Sequence, residues 1–276
     1  YNAIGGMDAI RATIGPEFLS LSNVSTQQLI NWGVTIIPIW FVGMTLYQRI
    51  YASKSKKQAQ KAWFIAGLFE WPLMAFMGVI LGLFSRVAFE NGMFADIGYV
   101  VASDMDAEMG LPILLNTILP AGLMGLMLSA YFSAILSTAD SCLMAASGNV
   151  QTDIYERIFK TKNSKKSQLT RSQIITLSIG VLALILASYM TNVLSLMLYS
   201  YAFMVSGLFI PVLAALFTKK PDSSAAIFAM VIGGGTTIAL SEMQITLPFE
   251  LDANIFGILA SAFAYFIVYY TKKLIK

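Results

Sequence analysis

The chain contains no histidine and one cysteine, and only 12% of its 276 residues are charged. Without histidine there are no imidazole metal ligands, and the commonest general acid–base catalyst is missing. A single cysteine, Cys142, rules out an internal disulfide framework, and its place inside an apolar helix suggests a packed thiol. So few charges, against 57% hydrophobic residues, exclude an ordinary soluble domain. There is no Walker loop, dinucleotide fingerprint or catalytic triad, so no enzyme activity is expected. The net charge is only +3 and the basic residues flank apolar runs, so no nucleic-acid partner is expected. No secretory leader is visible either. Residue 1 is tyrosine and the first methionine is Met7, so the chain reads as a piece of a longer protein with its beginning missing.

What the sequence does have is apolar length. Seven runs, near 29–47, 62–87, 113–147, 172–190, 193–217, 224–241 and 253–271, can each cross about 30 Å of hydrocarbon. The fold expected is an all-α polytopic helix bundle in a lipid bilayer. The third run is overlong, and Pro112 and Pro120 should divide it into an amphipathic segment and the spanning helix proper. In the sixth run Gly233-Gly234-Gly235 reads as helix packing or a break rather than a phosphate cradle.

Charge alternates between the runs. Of the 18 Lys and Arg residues, only Arg11 and Arg86 lie outside four clusters: Arg49 to Lys61, Arg157 to Arg171, Lys219–Lys220, and Lys272 to Lys276. The opposite connections carry Glu90, Asp96, Asp104, Asp106 and Glu108, then Glu242, Glu250 and Asp252. The positive-inside rule makes the basic loops cytoplasmic, placing residue 1 outside a cell membrane and Lys276 inside. The basic stretch Gln48 to Lys61 is then a simple membrane anchor.

The third run holds the most informative residues. Ser137, Thr138, Asp140 and Ser141 sit in the middle of an apolar helix, where an aspartate costs roughly 2.5–3.5 kcal/mol on insertion scales. Ala134, Ser137, Thr138 and Ser141 fall at i, i+3, i+4 and i+7 and share one face. A carbonyl beside small Ala134 and two hydroxyls one turn on would suit a hard, weakly held monovalent cation better than a transition metal. This turn reads as half of a sodium site. The hydroxyls could equally bond back to carbonyls of their own helix.

Two segments carry a resemblance. Ser129 to Tyr155 reads SAYFSAILSTADSCLMAASGNVQTDIY, and Trp40 to Lys61 reads WFVGMTLYQRIYASKSKKQAQK. Together they resemble the sodium:solute symporter family, which includes bacterial proline, sialic acid, pantothenate and sugar symporters. The resemblance implies a leucine-transporter-like fold, two inverted five-helix repeats around a midplane site. Residues 1–28 would be an extracellular loop, 29–217 the second repeat, and 218–276 two additional peripheral helices. It also implies that Na+ is held by the Ala134 carbonyl and the Ser137 and Thr138 hydroxyls, together with a helix of the absent N-terminal half. Asp140 and Ser141 match positions where some members hold a second ion. Asp140 could instead be a structural carboxylate or a proton-coupling group.

The resemblance also marks the solute side. Trp40 matches an aromatic near the substrate, Ile39 stands where sugar transporters place a gating tyrosine, and Pro38 should interrupt the helix. Glu70, in Glu70-Trp71-Pro72, falls where sugar-transporting relatives carry a lysine. A carboxylate there could pair with an amine or quaternary ammonium, couple protons, or bond within the bundle. Phe203 and Ser206 are further pocket candidates, in an aromatic stretch with Tyr199 and Tyr201 made breakable by Gly207 and Pro211. Asp153 should cap the helix after the third span. The implied function is sodium-coupled symport of a small organic solute; a transporter-like solute sensor and proton coupling are the alternatives.

Overall fold

The computed structural model describes residues 1–20, 22–100, 105–159, 165–189, 192–243 and 246–275. Asp104, Lys160, Lys162 and Lys276, named in the charge pattern, lie outside these residues. Helices make up the fold and, among the described residues, there is no strand. Six helices are long and apolar enough to span a bilayer, and a seventh span forms if one bent pair counts as a unit. The protein is an all-α polytopic membrane bundle. It divides into two units, one of 1–23 and 48–185, the other of 24–47 and 186–276.

The first unit begins with α1 (Gly6–Thr13), so the stretch expected as a loop carries helix. Ile4, Ile10 and Ile14 join Val87, Ala88, Phe89, Phe94, Ile113 and Leu114 in one apolar cluster. The cluster ties α1 to the end of α5 (Phe76–Glu90) and to α6 (Gly110–Ile118). Asn91 Nδ2 donates to the Ile4 carbonyl at 3.3 Å, adding a polar tie. α5 continues α4 (Lys56–Phe69) through a π-turn at Glu70–Ala75, giving a rod over Lys56–Glu90. Pro72 sits in that wide turn, which accommodates its missing N–H without ending the helix. The Ser55 side chain caps α4 by accepting from the Gln58 N–H at 3.3 Å.

The division expected at the two prolines is present. α6 ends at Ile118, and Pro120 precedes α7 (Ala121–Asn149). α7 runs into a second π-turn, Val150–Tyr155, and then α8 (Glu156–Phe159). Asp153 lies inside that π-turn and caps nothing, contrary to expectation, because the helix does not stop there for a new one to start. The return into α9 (Lys165–Tyr189) is fixed from both sides. Gln168 Nε2 donates to Glu156 Oε1 at 2.8 Å, and the Arg171 guanidinium lies 4.3 Å from the Tyr155 ring centre. Cys142, expected to be packed, is exposed.

The second unit contains α2 (Thr26–Val42), the start of α3 (Met44–Ala52), α10 (Val193–Phe217), α11 (Ser223–Glu242) and α12 (Ala253–Ile275). Side chains of Ser25, Asn192 and Asp222 cap α2, α10 and α11. α2 passes straight through Pro38, where a break was expected. The chain bends instead by 42° at Gly43, between α2 and α3. Pro38 is packed on the buried face with Asn31, Thr35 and Val42, which holds the helix together around it. At Gly43 the chain must leave the helix close to itself: a Cβ there would stand 3.1 Å from both the Ile39 carbonyl and Leu46. Pro211 likewise lies within an unbroken α10.

α10, α11 and α12 meet on small residues. A Cβ at Gly257 would fall 2.8 Å from the Gly233 carbonyl and 2.8 Å from Ser206 Cβ. A Cβ at Gly233 would fall 2.6 Å from Ser261 Cβ, so the Gly triplet is a packing surface and not a break. Ala225, Ala229 and Tyr265 continue the seam. Where α11 begins, Lys272 Nζ lies 3.1 Å from Asp222 Oδ1 and 2.6 Å from Ser224 Oγ. The Ala225 N–H, then the Lys272 ammonium, holds the Asp222 carboxyl below its ordinary range. At the other end, Phe249 and Glu250 have φ of 59° and 51°, a left-handed pair costing about 1–3 kcal/mol per residue. Burial pushes the neighbouring Asp252 carboxyl up.

Candidate functional site

α7 carries the predicted oxygens on consecutive turns. Ser137 Oγ donates to the Ala134 carbonyl at 2.8 Å, and Thr138 Oγ1 points at the same oxygen from 3.4 Å. Three neutral oxygens therefore already converge at one turn. The cause is local: a β-hydroxyl three or four residues after a carbonyl reaches it, and Ala134 puts no bulk in the way. Each hydroxyl keeps lone pairs beyond the proton it donates, so rotating that proton away presents oxygen to a cation. Ala134, Ser137 and Thr138 are all exposed.

Ser141, half-buried one turn further, donates to the Ser137 carbonyl at 2.9 Å. Asp140 is exposed, and its position is about 60° around the helix from Ser137, at the edge of the oxygen stripe. Among the described residues, no group of three His, Cys, Asp or Glu could hold a metal. The donor set at this turn is neutral oxygen, which suits an alkali cation and offers nothing to zinc or iron.

Glu70 opens the π-turn of the Lys56–Glu90 rod and is exposed. Among the described residues it belongs to no ion pair. π-Turns in long helices recur at functional positions, because the extra residue shifts side chains off the α-helical register.

The remaining candidates lie in the second unit. Ile39 is half-buried, and its carbonyl accepts the Gly43 N–H at 2.9 Å, closing the last turn of α2. Trp40 is 43% exposed and Phe203 is 47% exposed. α2 and α10 pack together within this unit, with Phe41 and Phe209 ring centres 6.1 Å apart. Ser206 is 0% exposed. Its hydroxyl donates to the Phe203 carbonyl at 3.1 Å, and its backbone faces the Gly233–Gly257 seam. The structure therefore places Ser206 in helix packing, whereas Trp40 and Phe203 keep open surface. Tyr199, in the same aromatic stretch, donates its hydroxyl to Glu242 Oε1 at 3.2 Å.

The sequence reading missed a buried polar row, Asn31, Thr35 and Asn254. Asn254 Nδ2 donates to Thr35 Oγ1 at 2.8 Å, and Thr35 Oγ1 donates to the Asn31 carbonyl at 3.0 Å. The available signal was Asn31 and Thr35 at i, i+4 in an otherwise apolar helix. Such a pair must meet a partner in a membrane.

A membrane-embedded helix bundle with an oxygen-lined turn at mid-helix is the class these features define. The chain belongs to the sodium:solute symporter family, whose family model matches residues 14–233. It is 26% identical over 243 residues to a sodium/proline symporter of Haemophilus influenzae, covering 86% of this chain and 46% of the relative. A high-affinity proline transporter of Bacillus subtilis is 30% identical over 115 residues, covering 41% of this chain and 24% of the relative. A sodium/glucose cotransporter of Vibrio parahaemolyticus is 23% identical over 267 residues, covering 93% of this chain and 48% of the relative. These relatives are transporters, not enzymes. The chain spans about half the length, or less, of the curated relatives it matches. No solved structure matches it.

Proposed function

We propose that this chain is part of a sodium-coupled symporter for a small organic solute in the cell membrane. The observation that carries the reading is the convergence of Ser137 Oγ and Thr138 Oγ1 on the Ala134 carbonyl, on a helix whose family couples solute movement to sodium. Sodium, as co-substrate, would take these three oxygens and complete its shell from the N-terminal half of the same protein. Asp140 and Ser141 are the positions for a second ion. By the positive-inside rule the basic loops lie in the cytoplasm and the acidic ones outside. Residues 29–217 act as the second five-helix repeat, with 218–276 as two peripheral spans.

Sodium binding would favour an outward-open state that binds solute more tightly, and joint occupancy would favour the change of access. The membrane potential adds about 2.3 kcal/mol per charge per 100 mV. For the solute, the proline carriers among the relatives and the carboxylate of Glu70 both favour an amino acid or other small amine over a sugar. Trp40, Ile39 and Phe203 would supply apolar and aromatic contact, with Ser206 holding the seam behind Phe203.

The test is sodium-driven uptake by the complete transporter in proteoliposomes, with Ser137 and Thr138 both replaced by alanine. A hydrogen bond or ligand contact to a charged group contributes about 1.5–3 kcal/mol, so losing two should weaken sodium binding about a hundredfold or more. Insertion should be unaffected, since alanine is the better helix former. Unchanged sodium affinity, or uptake equally fast in choline, would refute the reading.

A further inference from the structure

The buried polar row of the second unit leads to a separate conclusion. We propose that the N-terminal part of α2 is a fixed post, clamped by Asn31, Thr35 and Asn254 to α12 and to the turn before it, and that the helix gives way at Gly43. The functional half of this proposal rests on the transport reading.

Four observations support it. Asn31, Thr35, Pro38 and Val42 form one buried face of α2 at helical spacing. Along that face, bonds reach residues about 220 positions away in sequence. Asn254 Nδ2 donates to Thr35 Oγ1 at 2.8 Å, Asn31 Nδ2 to the Glu250 carbonyl at 3.2 Å, and the Asp252 N–H to Asn31 Oδ1 at 3.2 Å. Gln27, one turn before Asn31, donates to the Phe249 carbonyl.

The second observation is the turn itself. Phe249 and Glu250 both adopt a left-handed backbone, and their two carbonyls are the ones that Gln27 and Asn31 capture. Release of α2 would leave this unfavourable backbone to the turn's own bonds, Glu250 N–H to the Leu247 carbonyl at 2.9 Å and Leu251 N–H to the Pro248 carbonyl at 3.3 Å. Third, Asn254 and Thr35 are 1% and 5% exposed, so no water stands ready to replace their mutual bond. Fourth, the chain bends by 42° immediately beyond the clamped face, at a residue with no side chain to resist a change of angle.

Together these divide α2 and its continuation into a held part and a part that can swing. Ile39 and Trp40 follow the clamp by one turn and precede the bend. Asn31, Thr35 and Asn254 are then positioning residues for the solute-facing end of α2, and they act without touching solute.

The experiment is a cysteine pair, Gln27→Cys with Phe249→Cys at the rim of the clamp, which leaves Asn31, Thr35 and Asn254 in place, in the complete transporter with Cys142 and any other cysteine replaced by alanine. The pair is bridged by a short bifunctional thiol reagent. The expected result is bridging to completion at equal rates with and without sodium, and no loss of sodium-driven uptake after bridging. Sodium-dependent bridging, or uptake that stops on bridging and returns on reduction of a cleavable bridge, would overturn the clamp. If Phe249→Cys prevents folding, Gln27→Cys with Glu250→Cys takes its place, with the same expectations, since Glu250 joins the clamp only through its backbone carbonyl. An unbridged parent that shows no sodium-driven uptake would refute the transport reading alone. Whether bridging yield changes with sodium would still decide the clamp.

Discussion

In the first unit Ser129, Ser133 and Ser137 stay exposed, and each hydroxyl returns to a carbonyl of its own helix. In the second unit Asn31, Thr35, Ser206, Thr237, Asn254 and Ser261 are all buried, at places where helices touch. The same contrast holds for apolar surface. None of the most apolar stretch of the Lys56–Glu90, Ala121–Phe159 or Ser167–Tyr189 helices is buried, against 22–28% for α10, α11 and α12. In the second unit Asn31, Thr35 and Asn254 therefore tie α2 to α12 and the turn before it, while Ser206 and Thr237 are buried in the seam and return to carbonyls of their own helices. The hydroxyls of α7 are satisfied locally, each by a carbonyl of its own helix, and the proposed sodium site would exchange such a bond for an ion.

The largest effect should come from breaking the packed side. Gly257→Val would drive a branched side chain into the Gly233 carbonyl and Ser206, two neighbours that cannot swing aside. Overpacking a core costs about 1–3 kcal/mol where side chains can yield, and backbone obstruction costs more. Little correctly inserted protein should survive extraction in mild detergent, whereas the Ser137/Thr138 double alanine variant should be recovered at parental levels. Equal recovery of both would remove the contrast.

An intermediate effect is expected at Glu70. Replacing it by glutamine keeps shape and removes charge, so the affinity for a cationic or zwitterionic solute should fall by about tenfold, equivalent to 1.4 kcal/mol. Thermal stability should hardly change, since among the described residues Glu70 belongs to no ion pair. Unchanged uptake kinetics across a panel of amines would assign Glu70 to structure.

The smallest effect concerns pH. Asp222 titrates below its ordinary range when folded, so its stabilising contribution is complete above the unfolded carboxyl value. That contribution is lost as pH falls through the lower folded value. Asp252, raised by burial, acts with the opposite sign: its folded form prefers the proton, so it opposes stability as pH rises through its window. Asp222→Asn keeps a capping side chain on α11 but removes the charge facing Lys272. Melting temperatures between pH 3 and 6, about the carboxyl range, should then fall less steeply on the acid side than for the parent. An identical acid limb would exclude Asp222 from the balance.

Much of this was legible in the sequence. Apolar length and the alternation of basic loops gave the bundle, and Pro120 marked the start of α7, because bilayer thickness and proline chemistry act locally. The oxygen turn was legible for the same reason: Ala134, Ser137 and Thr138 are neighbours on one helix. Pro38 misled because a proline breaks a helix only when its surroundings allow. Here Pro38 is buried on the same α2 face as Asn31, Thr35 and Val42, and the bend falls at Gly43. Ser206 resembled a pocket residue because it lies in the aromatic stretch of Tyr199, Tyr201 and Phe203, just ahead of Gly207 and Pro211. Its burial depends on Gly233 and Gly257, far along the chain, which no local pattern could connect to it. The Asn31–Thr35–Asn254 row was hidden in the same way by its separation in sequence.

The two π-turns act as phase setters for the long rods. A turn holding one extra residue rotates everything beyond it by about 100° relative to an uninterrupted helix. At Val150–Tyr155 this decides which way Tyr155 faces, and hence whether Arg171 can lie over its ring. An ordinary α-helix of the same length there would leave a sound rod whose tip is turned by about 100°, with the Ala134–Thr138 turn about four windings away unaltered.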